Sequence, residues 1–243
     1  MVYRFIKRTS ILFAAALLPT LVLATDYNLG KLARSNKIEL FNRALDQTKS
    51  GAPEAMFLNS AEDYGLAWIT TDTASSSESR SRSALWVTGV EFSNGTIELE
   101  LKGRDQPGQS FVGIAFHGQN NKTFDAVYLR PFNFQAAEAE HRSHSIQYVS
   151  LPEHDWSNLR KNHPGKYEAA LNPAPMPESW VKLKLVVEGK SVSAFVNGAH
   201  KPALVVELLN ERHTGKLGLW VGNGSDGWFR NLTITPAAKR AGR

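Results

Sequence analysis

The chain has 243 residues, of which 42% are hydrophobic and 21% charged, and it contains no cysteine. This length and composition suit one large domain or two small ones with a hydrophobic core, and they disfavour wholesale disorder. The absence of cysteine excludes disulfide scaffolds, thiolate metal sites and cysteine nucleophiles.

The formal net charge of +5 comes from the two ends of the chain. Without the six basic residues at the ends, the remaining chain has a net charge of about −1. These six residues are Arg4, Lys7, Arg8, Lys239, Arg240 and Arg243. A nucleic-acid partner is therefore not expected, because counterion release requires clustered lysine and arginine. Residues 238–243 are interpreted as a basic tail.

Residues 1–24 have the pattern of a secretory signal peptide. A basic start is followed by an apolar run of about 14 residues, Ile11 to Ala24, which ends in Val22-Leu23-Ala24, a site that suits a signal peptidase. The run is short for a membrane span, and no later segment is apolar enough to cross a bilayer. We expect cleavage after Ala24 and a secreted or periplasmic protein with no membrane span; an uncleaved N-terminal anchor is the alternative.

The remaining chain divides into a helical lead-in over 25–52 and a strand-rich region over 53–237. Turn residues separate the predicted strands, no helix is predicted after residue 50, and 152–178 is expected to be irregular. The predicted strands are 65–71, 85–92, 96–102, 110–118, 124–132, 144–150, 180–188, 191–197, 203–209, 216–222 and 228–235.

Several of these segments alternate between apolar and polar residues. Ile97, Leu99 and Leu101 face one way, whereas Glu98 and Glu100 face the other. Antiparallel sheets with one buried and one wet face have this pattern. The chain is therefore predicted to be all-β, with a two-sheet antiparallel sandwich.

Five segments together resemble the concanavalin A-like lectin and glucanase superfamily. They are Asn94–Leu99, Phe111–His117, Ala126–Pro131, Gly218–Val221 and Phe229–Leu232. The resemblance spans roughly residues 55–236 and includes bacterial secreted domains of the 3-keto-disaccharide hydrolase type and laminin-G-like modules. It implies a jelly roll whose concave sheet receives a sugar. The Glu-x-Asp-x-x-Glu run of laminarinase-type members is absent, and Ser110-Phe111-Val112-Gly113 stands where the hydrolase type usually has Asn-Ser-Gly.

Strand alternation also indicates a candidate sugar-binding face. It directs Val112, Ile114 and Phe116 inward, so that small residues and several aromatic or polar side chains face outward. Sugars need flat aromatic faces and fixed hydrogen-bond donors. The predicted substrate-binding residues are His117, Tyr128, Arg130, Gln147, Trp220 and Asn223. In the alternative, this face packs under the 152–178 loop and binds nothing.

Candidate acid or base groups are fewer. His117, Glu138 and Asp155 are the candidates for proton transfer. The loop histidines at 141, 144 and 154 are interpreted as solvated rather than metal-binding, and Glu98 with Glu100 as surface carboxylates. No metal is predicted, although the turn at 222–227 offers oxygen atoms that suit calcium.

The sequence as a whole predicts an exported carbohydrate-active domain. Its partner is expected to be a saccharide, and hydrolysis or elimination at a glycosidic bond is the expected reaction if the domain is an enzyme. A non-catalytic lectin-like or laminin-G-like binding module is the main alternative, and a structural envelope protein is a third. Serine-hydrolase, phosphate-loop and dinucleotide signatures are absent.

Overall fold

The computed structural model describes residues 22–29, 38–39, 56–59, 83–222 and 225–238. Strands dominate these ranges. They are β1 (Thr25–Tyr27), β2 (Ile38–Glu39), β3 (Met56–Asn59), β4 (Ser83–Phe92), β5 (Gly95–Lys102), β6 (Phe111–Gly118), β7 (Phe124–Leu129), β8 (Ile146–Leu151), β9 (Glu168–Ala169), β10 (Val181–Glu188), β11 (Ser191–Val196), β12 (Leu204–Glu207), β13 (Gly215–Gly222) and β14 (Asp226–Pro236).

The described strands form two antiparallel sheets of seven strands each. The first sheet has the order β1-β14-β5-β10-β11-β12, and β3 also pairs with β14. The second has the order β2-β4-β13-β6-β7-β8-β9. This arrangement confirms the predicted two-sheet antiparallel sandwich.

The first sheet shows the predicted alternation. Ile97, Leu99 and Leu101 are buried, whereas Glu98 and Glu100 are only half-buried. Each of these three buried residues of β5 pairs with a buried aliphatic residue of the neighbouring strand β10, as Leu99 does with Leu183. This apolar layer removes its surface from water and forms one wall of the core.

The second sheet is buried on both faces at its strands β7 and β8. Every residue of β7 and β8 is buried. Beside these strands lie a 3-10 turn (Pro131–Asn133) and two short helices, α1 (Ala139–Ser143) and α2 (Trp156–Asn162). These elements place additional chain over the outer face of the second sheet, next to β8 and β9.

The stretch 152–178 is more regular than predicted, because it contains α2 and β9. Asp155 caps α2, since its carboxylate accepts hydrogen bonds from the main-chain nitrogens of Ser157 and Asn158. Only Leu159 of this helix is buried. A helix of this length has too few apolar positions to produce a recognisable period, and it is held by its cap and by tertiary contacts.

Two described segments of the predicted helical lead-in over 25–52 are strands, whereas Leu29 is helical. Thr25–Tyr27 and Ile38–Glu39 are strands that pair with β14 and β4. Such pairing satisfies main-chain groups at a sheet edge, a tertiary gain that overrides a weak local helix preference. The rest of the lead-in, residues 1–21, the predicted strand at 65–71 and residues 239–243 lie outside the described residues.

None of the helices within the described ranges has the length and apolar character needed to cross a membrane.

Candidate functional site

Directly paired residues form a row across the outer face of the second sheet. Trp220 on β13 pairs with Gly113 on β6, Gly113 with Tyr128 on β7, Tyr128 with Gln147 on β8, and Gln147 with Glu168 on β9. Side chains of paired residues point to the same face. Three predicted binding residues, Tyr128, Gln147 and Trp220, therefore lie together in one row.

Gly113 makes the aromatic contact in this row sterically acceptable. A β-carbon at position 113 would lie 2.5 Å from the Cα of Tyr128 and 2.3 Å from the main-chain oxygen of Val127. The rings of Tyr128 and Trp220, on the strands to either side, approach to 4.5 Å between centroids. Glycine thus leaves the space in which the two rings pack across β6.

The row is not the exposed floor that the sequence suggested. Tyr128 is 2% exposed, Trp220 3% and Gln147 0%. The prediction of an open aromatic surface is therefore wrong for these three residues. Strand alternation specifies the face on which a side chain lies, but it does not specify what packs above that face.

His117 does not share this face, because β6 carries a β-bulge at that point. The register of β6 with β13 shifts between Lys216 and Gly218, and His117 has a φ of 50°. Its Nε2 lies 2.8 Å from the main-chain oxygen of Ser93, and its Nδ1 lies 3.8 Å from a carboxylate oxygen of Asp125. Burial lowers the pKa of His117. The extra residue of a bulge reverses the side-chain direction expected from simple alternation.

Arg130 opens onto a cleft of about 570 Å³. Phe111, Phe132 and Trp156 contribute aromatic walls, and His144 and Arg160 also line it. The volume lies within the range of about 300–1,000 Å³ that is usual for ligand pockets. This cleft, bounded by Phe111, Arg130, Phe132, His144, Trp156 and Arg160, is hereafter the Arg130 cleft.

A hydrogen-bond network fixes the Arg130 guanidinium. Its Nη1 donates to the main-chain oxygen of His144 at 2.9 Å, and its Nη2 donates to the Tyr128 hydroxyl at 2.8 Å and to the Gln147 amide oxygen. The Tyr128 hydroxyl also donates to Gln147 Oε1 at 3.1 Å. The buried row therefore serves as the support that orients Arg130 at the base of the cleft.

A partly buried histidine, His144, pairs with the buried Glu168 beside Arg130. The Nδ1 of His144 lies 2.9 Å from Glu168 Oε2, and the two side chains are 15% and 4% exposed. Arg160 binds the same carboxylate in bidentate fashion, with Nε to Oε1 at 3.1 Å and Nη2 to Oε2 at 2.8 Å. Burial is the main cause that lowers the pKa of His144. The imidazole is therefore neutral at neutral pH.

This pair was missed by sequence reasoning. The sequence predicts a solvated loop residue at His144, and no pattern in it indicates Glu168, Arg160 or Trp156. The contact depends on the pairing of β8 with β9, and β9 is only two residues long. A strand of that length has no alternation to detect, so no signal in the sequence places Glu168 beside Gln147.

The carboxylates predicted as proton-transfer candidates, Glu138 and Asp155, do not lie at the base of the cleft. Glu138 lies on the rim, where its 65% exposed side chain pairs with His141 at 3.3 Å. Asp155 is the N-cap of α2. Asn223 lies outside the described residues.

The sequence predicts no metal site, although the turn at 222–227 offers oxygen atoms that suit calcium. In the turn at 222–227, Asp226 accepts a hydrogen bond from Arg104 Nε at 2.6 Å. Within the described ranges there is no group of three or more histidine, aspartate or glutamate side chains that could hold a metal ion.

The two antiparallel sheets form a jelly-roll domain, and the match to a known family shows that it is a carbohydrate-related one. Residues 38–235 match the family described as the 3-keto-alpha-glucoside-1,2-lyase-like domain. The chain therefore belongs to this family. No curated protein matches the sequence.

Solved structures with the same fold include two proteins from Bacillus subtilis. The carbohydrate-binding module CBM66 is 12% identical with a TM-score of 0.52, and the match covers 82% of this chain and 96% of that one. A protein of unknown function with a galectin-like fold is 15% identical with a TM-score of 0.55, covering 92% and 99%. A native glycosidic hydrolase is 12% identical with a TM-score of 0.52, covering 89% and 97%. At these identities the likeness concerns the fold alone.

Proposed function

We propose that the Arg130 cleft binds a saccharide and that His144 acts as a general base in elimination at a glycosidic bond. The observation that carries the proposal is the pair of His144 Nδ1 and Glu168 Oε2 at 2.9 Å, beside the guanidinium of Arg130. The sequence leaves saccharide binding and cleavage of a glycosidic bond as alternatives, and the proposal assigns both to this cleft.

The pair has the arrangement of an oriented general base. When Nδ1–H donates to Glu168, the lone pair lies on Nε2, for which no hydrogen-bond partner occurs among the described residues. Arg160 holds Glu168 through two hydrogen bonds, which fixes the carboxylate that orients the ring. The neutral state of His144 favours uptake of a proton rather than its donation.

The family to which the chain belongs supports the reaction that we propose. In a 3-keto-α-glucoside the ketone acidifies the proton on C2. His144 Nε2 takes that proton, the C–H electron pair forms the C1=C2 double bond, and the C1–O bond breaks. The leaving oxygen keeps the bonding pair and takes a proton from water, and the His144 imidazolium gives its proton to the hydroxide that this leaves. Arg130, fixed at the base of the cleft by its hydrogen bonds, holds the sugar in place beside His144.

The walls of the cleft suit the apolar faces of a sugar ring. Trp156 is 44% exposed, and its indole is backed by the guanidinium of Arg160 at 5.2 Å from the ring centroid. Phe111 and Phe132 form an edge-to-face pair with centroids 5.6 Å apart. Sugar C–H groups pack on such aromatic surfaces, and the polar groups at the base fix orientation.

The proposal is tested with a 3-keto-α-glucoside that carries a chromogenic leaving group. We expect release of the leaving group by the wild-type protein and a rate reduced by roughly 10²–10⁴-fold in His144→Gln. His141→Gln, which changes an exposed rim histidine, is the matched control and should retain the rate. An unchanged rate in His144→Gln would contradict the assignment of the base.

A non-catalytic binding module is the second candidate, and the exposed indole of Trp156 favours it. Such a module would bind the keto-glucoside without releasing the leaving group, and binding would be equal in wild-type protein and His144→Gln. The same titration and rate measurements therefore distinguish the two functions.

Export through the secretory pathway is part of the proposal. Strand β1 begins at Thr25, directly after the expected cleavage at Ala24, so removal of residues 1–24 would leave β1 intact. Mass spectrometry of the protein recovered from the periplasm or medium should give an N-terminus at Thr25. An N-terminus at Met1 in a membrane fraction would support the uncleaved anchor instead.

A further inference from the structure

Arg130 is a buried cation whose hydrogen-bond partners are all neutral. Its side chain is 4% exposed, and its guanidinium donates to a main-chain oxygen, a hydroxyl and an amide oxygen. Buried charges in proteins are ordinarily paired with an opposite charge, because desolvation without such a partner is costly. Among the described residues, Arg130 forms no ion pair with a carboxylate.

The nearby charged side chains do not supply the missing negative charge. Burial lowers the pKa of Arg130, the negative charge of Glu168 opposes this change, and the positive charge of Arg160 adds to it. Glu168 already accepts two hydrogen bonds from Arg160 and contacts His144. Glu138 lies on the rim, 65% exposed and paired with His141. The interior of the cleft therefore holds one more positive charge than negative charge.

The uncompensated charge is accessible from the cleft. Arg130 lines the cleft together with the aromatic side chains of Phe111, Phe132 and Trp156. Its Nε has no hydrogen-bond partner in the part of the chain that the structure describes. A ligand entering here meets apolar walls around a single unpaired guanidinium.

We propose that the saccharide bound in the Arg130 cleft carries a carboxylate, as a uronic acid does, and that this carboxylate pairs with Arg130. The inference rests on the proposed function, since it specifies the substrate class of the same cleft. A carboxylate brings one negative charge and matches the planar guanidinium. A phosphate monoester brings about −1.5 to −2 charges near neutral pH, more than the single uncompensated cation requires.

The test compares ligands that differ only in the anionic group. Calorimetric titrations of the wild-type protein use methyl α-glucuronide, methyl α-glucoside and methyl α-glucoside 6-phosphate at one ionic strength. We expect the glucuronide to bind about tenfold or more tightly than the glucoside, as a charge-assisted hydrogen bond predicts, and more tightly than the phosphate.

Two variants assign the preference to one guanidinium. Arg130→Gln should abolish the preference for the glucuronide. Arg230→Gln should keep it, because Arg230 lies on β14 in the other sheet and pairs with Glu100. If Arg130→Gln does not fold, the comparison of the three ligands in the wild-type protein still decides the question.

The outcomes separate this inference from the proposed function. Equal binding of glucuronide and glucoside, or tighter binding of the phosphate, would overturn the carboxylate assignment while leaving His144-dependent elimination intact. If no saccharide binds and the keto-glucoside is not converted, the proposed function itself fails, and this inference with it.

Discussion

Two buried polar clusters lie on opposite faces of the second sheet, and their charges differ. On the inner face, Asp125 accepts hydrogen bonds from the Tyr148 hydroxyl at 2.6 Å and Asn210 Nδ2 at 2.8 Å. Arg212 lies 3.4 Å from the same carboxylate and donates to Ser150 Oγ at 2.9 Å. This inner cluster of Asp125, Tyr148, Ser150, Asn210 and Arg212 contains one cation and one anion.

On the outer face, the cluster at the Arg130 cleft contains two guanidiniums and one buried carboxylate. Arg160 and Glu168 balance each other, whereas Arg130 has neutral partners and faces a cavity. Each cluster combines a buried carboxylate with a partly exposed arginine, so burial does not distinguish them. The excess charge and the open volume distinguish the outer cluster, and they are the features expected of a binding site rather than of a structural support.

The largest expected effect is the loss of stability on opening the inner cluster. Asp125→Ala removes the acceptor of Tyr148 and Asn210 and leaves Arg212 without its carboxylate. We expect the free energy of unfolding to fall by about 3–5 kcal/mol, as measured by urea denaturation. Asp226→Ala, which breaks a more exposed ion pair with Arg104, should cost about 1 kcal/mol or less. Similar losses in the two variants would show that the inner cluster is not a structural support.

A smaller loss is expected where the two aromatic rings of the outer row meet. Gly113→Ala would place a β-carbon 2.5 Å from the Cα of Tyr128. The displacement needed to relieve this overlap should cost about 1–3 kcal/mol in thermal or urea unfolding. Gly108→Ala serves as the control. Gly108 has a positive φ, and no neighbouring side chain or strand lies within 4 Å of the added carbon, so this variant measures the cost of backbone strain without steric overlap. Equal losses in both variants would indicate that the overlap at Gly113 is relieved at no cost.

The pH dependence of the reaction should report the environment of His144. The base acts in its neutral form, and burial lowers its pKa below the ordinary value of 6.5. We therefore expect the acid limb of the kcat/KM profile to have its midpoint below pH 6.5, with a decrease of about tenfold per pH unit below that midpoint. A midpoint above pH 6.5 would contradict His144, with its lowered pKa, as the base.

The smallest expected effect concerns the exposed wall of the cleft. Trp156→Ala removes an aromatic face that is 44% exposed. Because an aromatic contact contributes about 0.5–1.5 kcal/mol, saccharide binding should weaken about two- to tenfold. The free energy of unfolding should change little, and Met176→Ala, at a 61% exposed side chain, serves as the control. Unchanged affinity in Trp156→Ala would exclude this wall from the binding surface.

The sequence predicted the layers of the fold better than the details of the cleft. Alternation placed Ile97, Leu99 and Leu101 in the core, and it placed Tyr128 and Trp220 on a common face. Those features depend on the period of single strands, which a sequence displays directly.

The remaining features depend on relations between segments. A β-bulge turns His117 away from the row, and the pairing of β8 with β9 brings Glu168 to Gln147 and to His144. The short helix α2 contributes Arg160 and Trp156 from a stretch that had no periodic pattern. Register, bulges and the packing of short segments are set by tertiary contacts, and a single sequence does not reveal them.

Histidine resonances in nuclear magnetic resonance spectra test the central claim most directly. The folded protein is titrated with a 3-keto-α-glucoside, and the imidazole signals of His144 and His117 are assigned by substitution to glutamine. The cleft assignment predicts a saturable shift of the His144 signals and none for His117, which lies on the inner face. A shift of His117 with no change at His144 would contradict it.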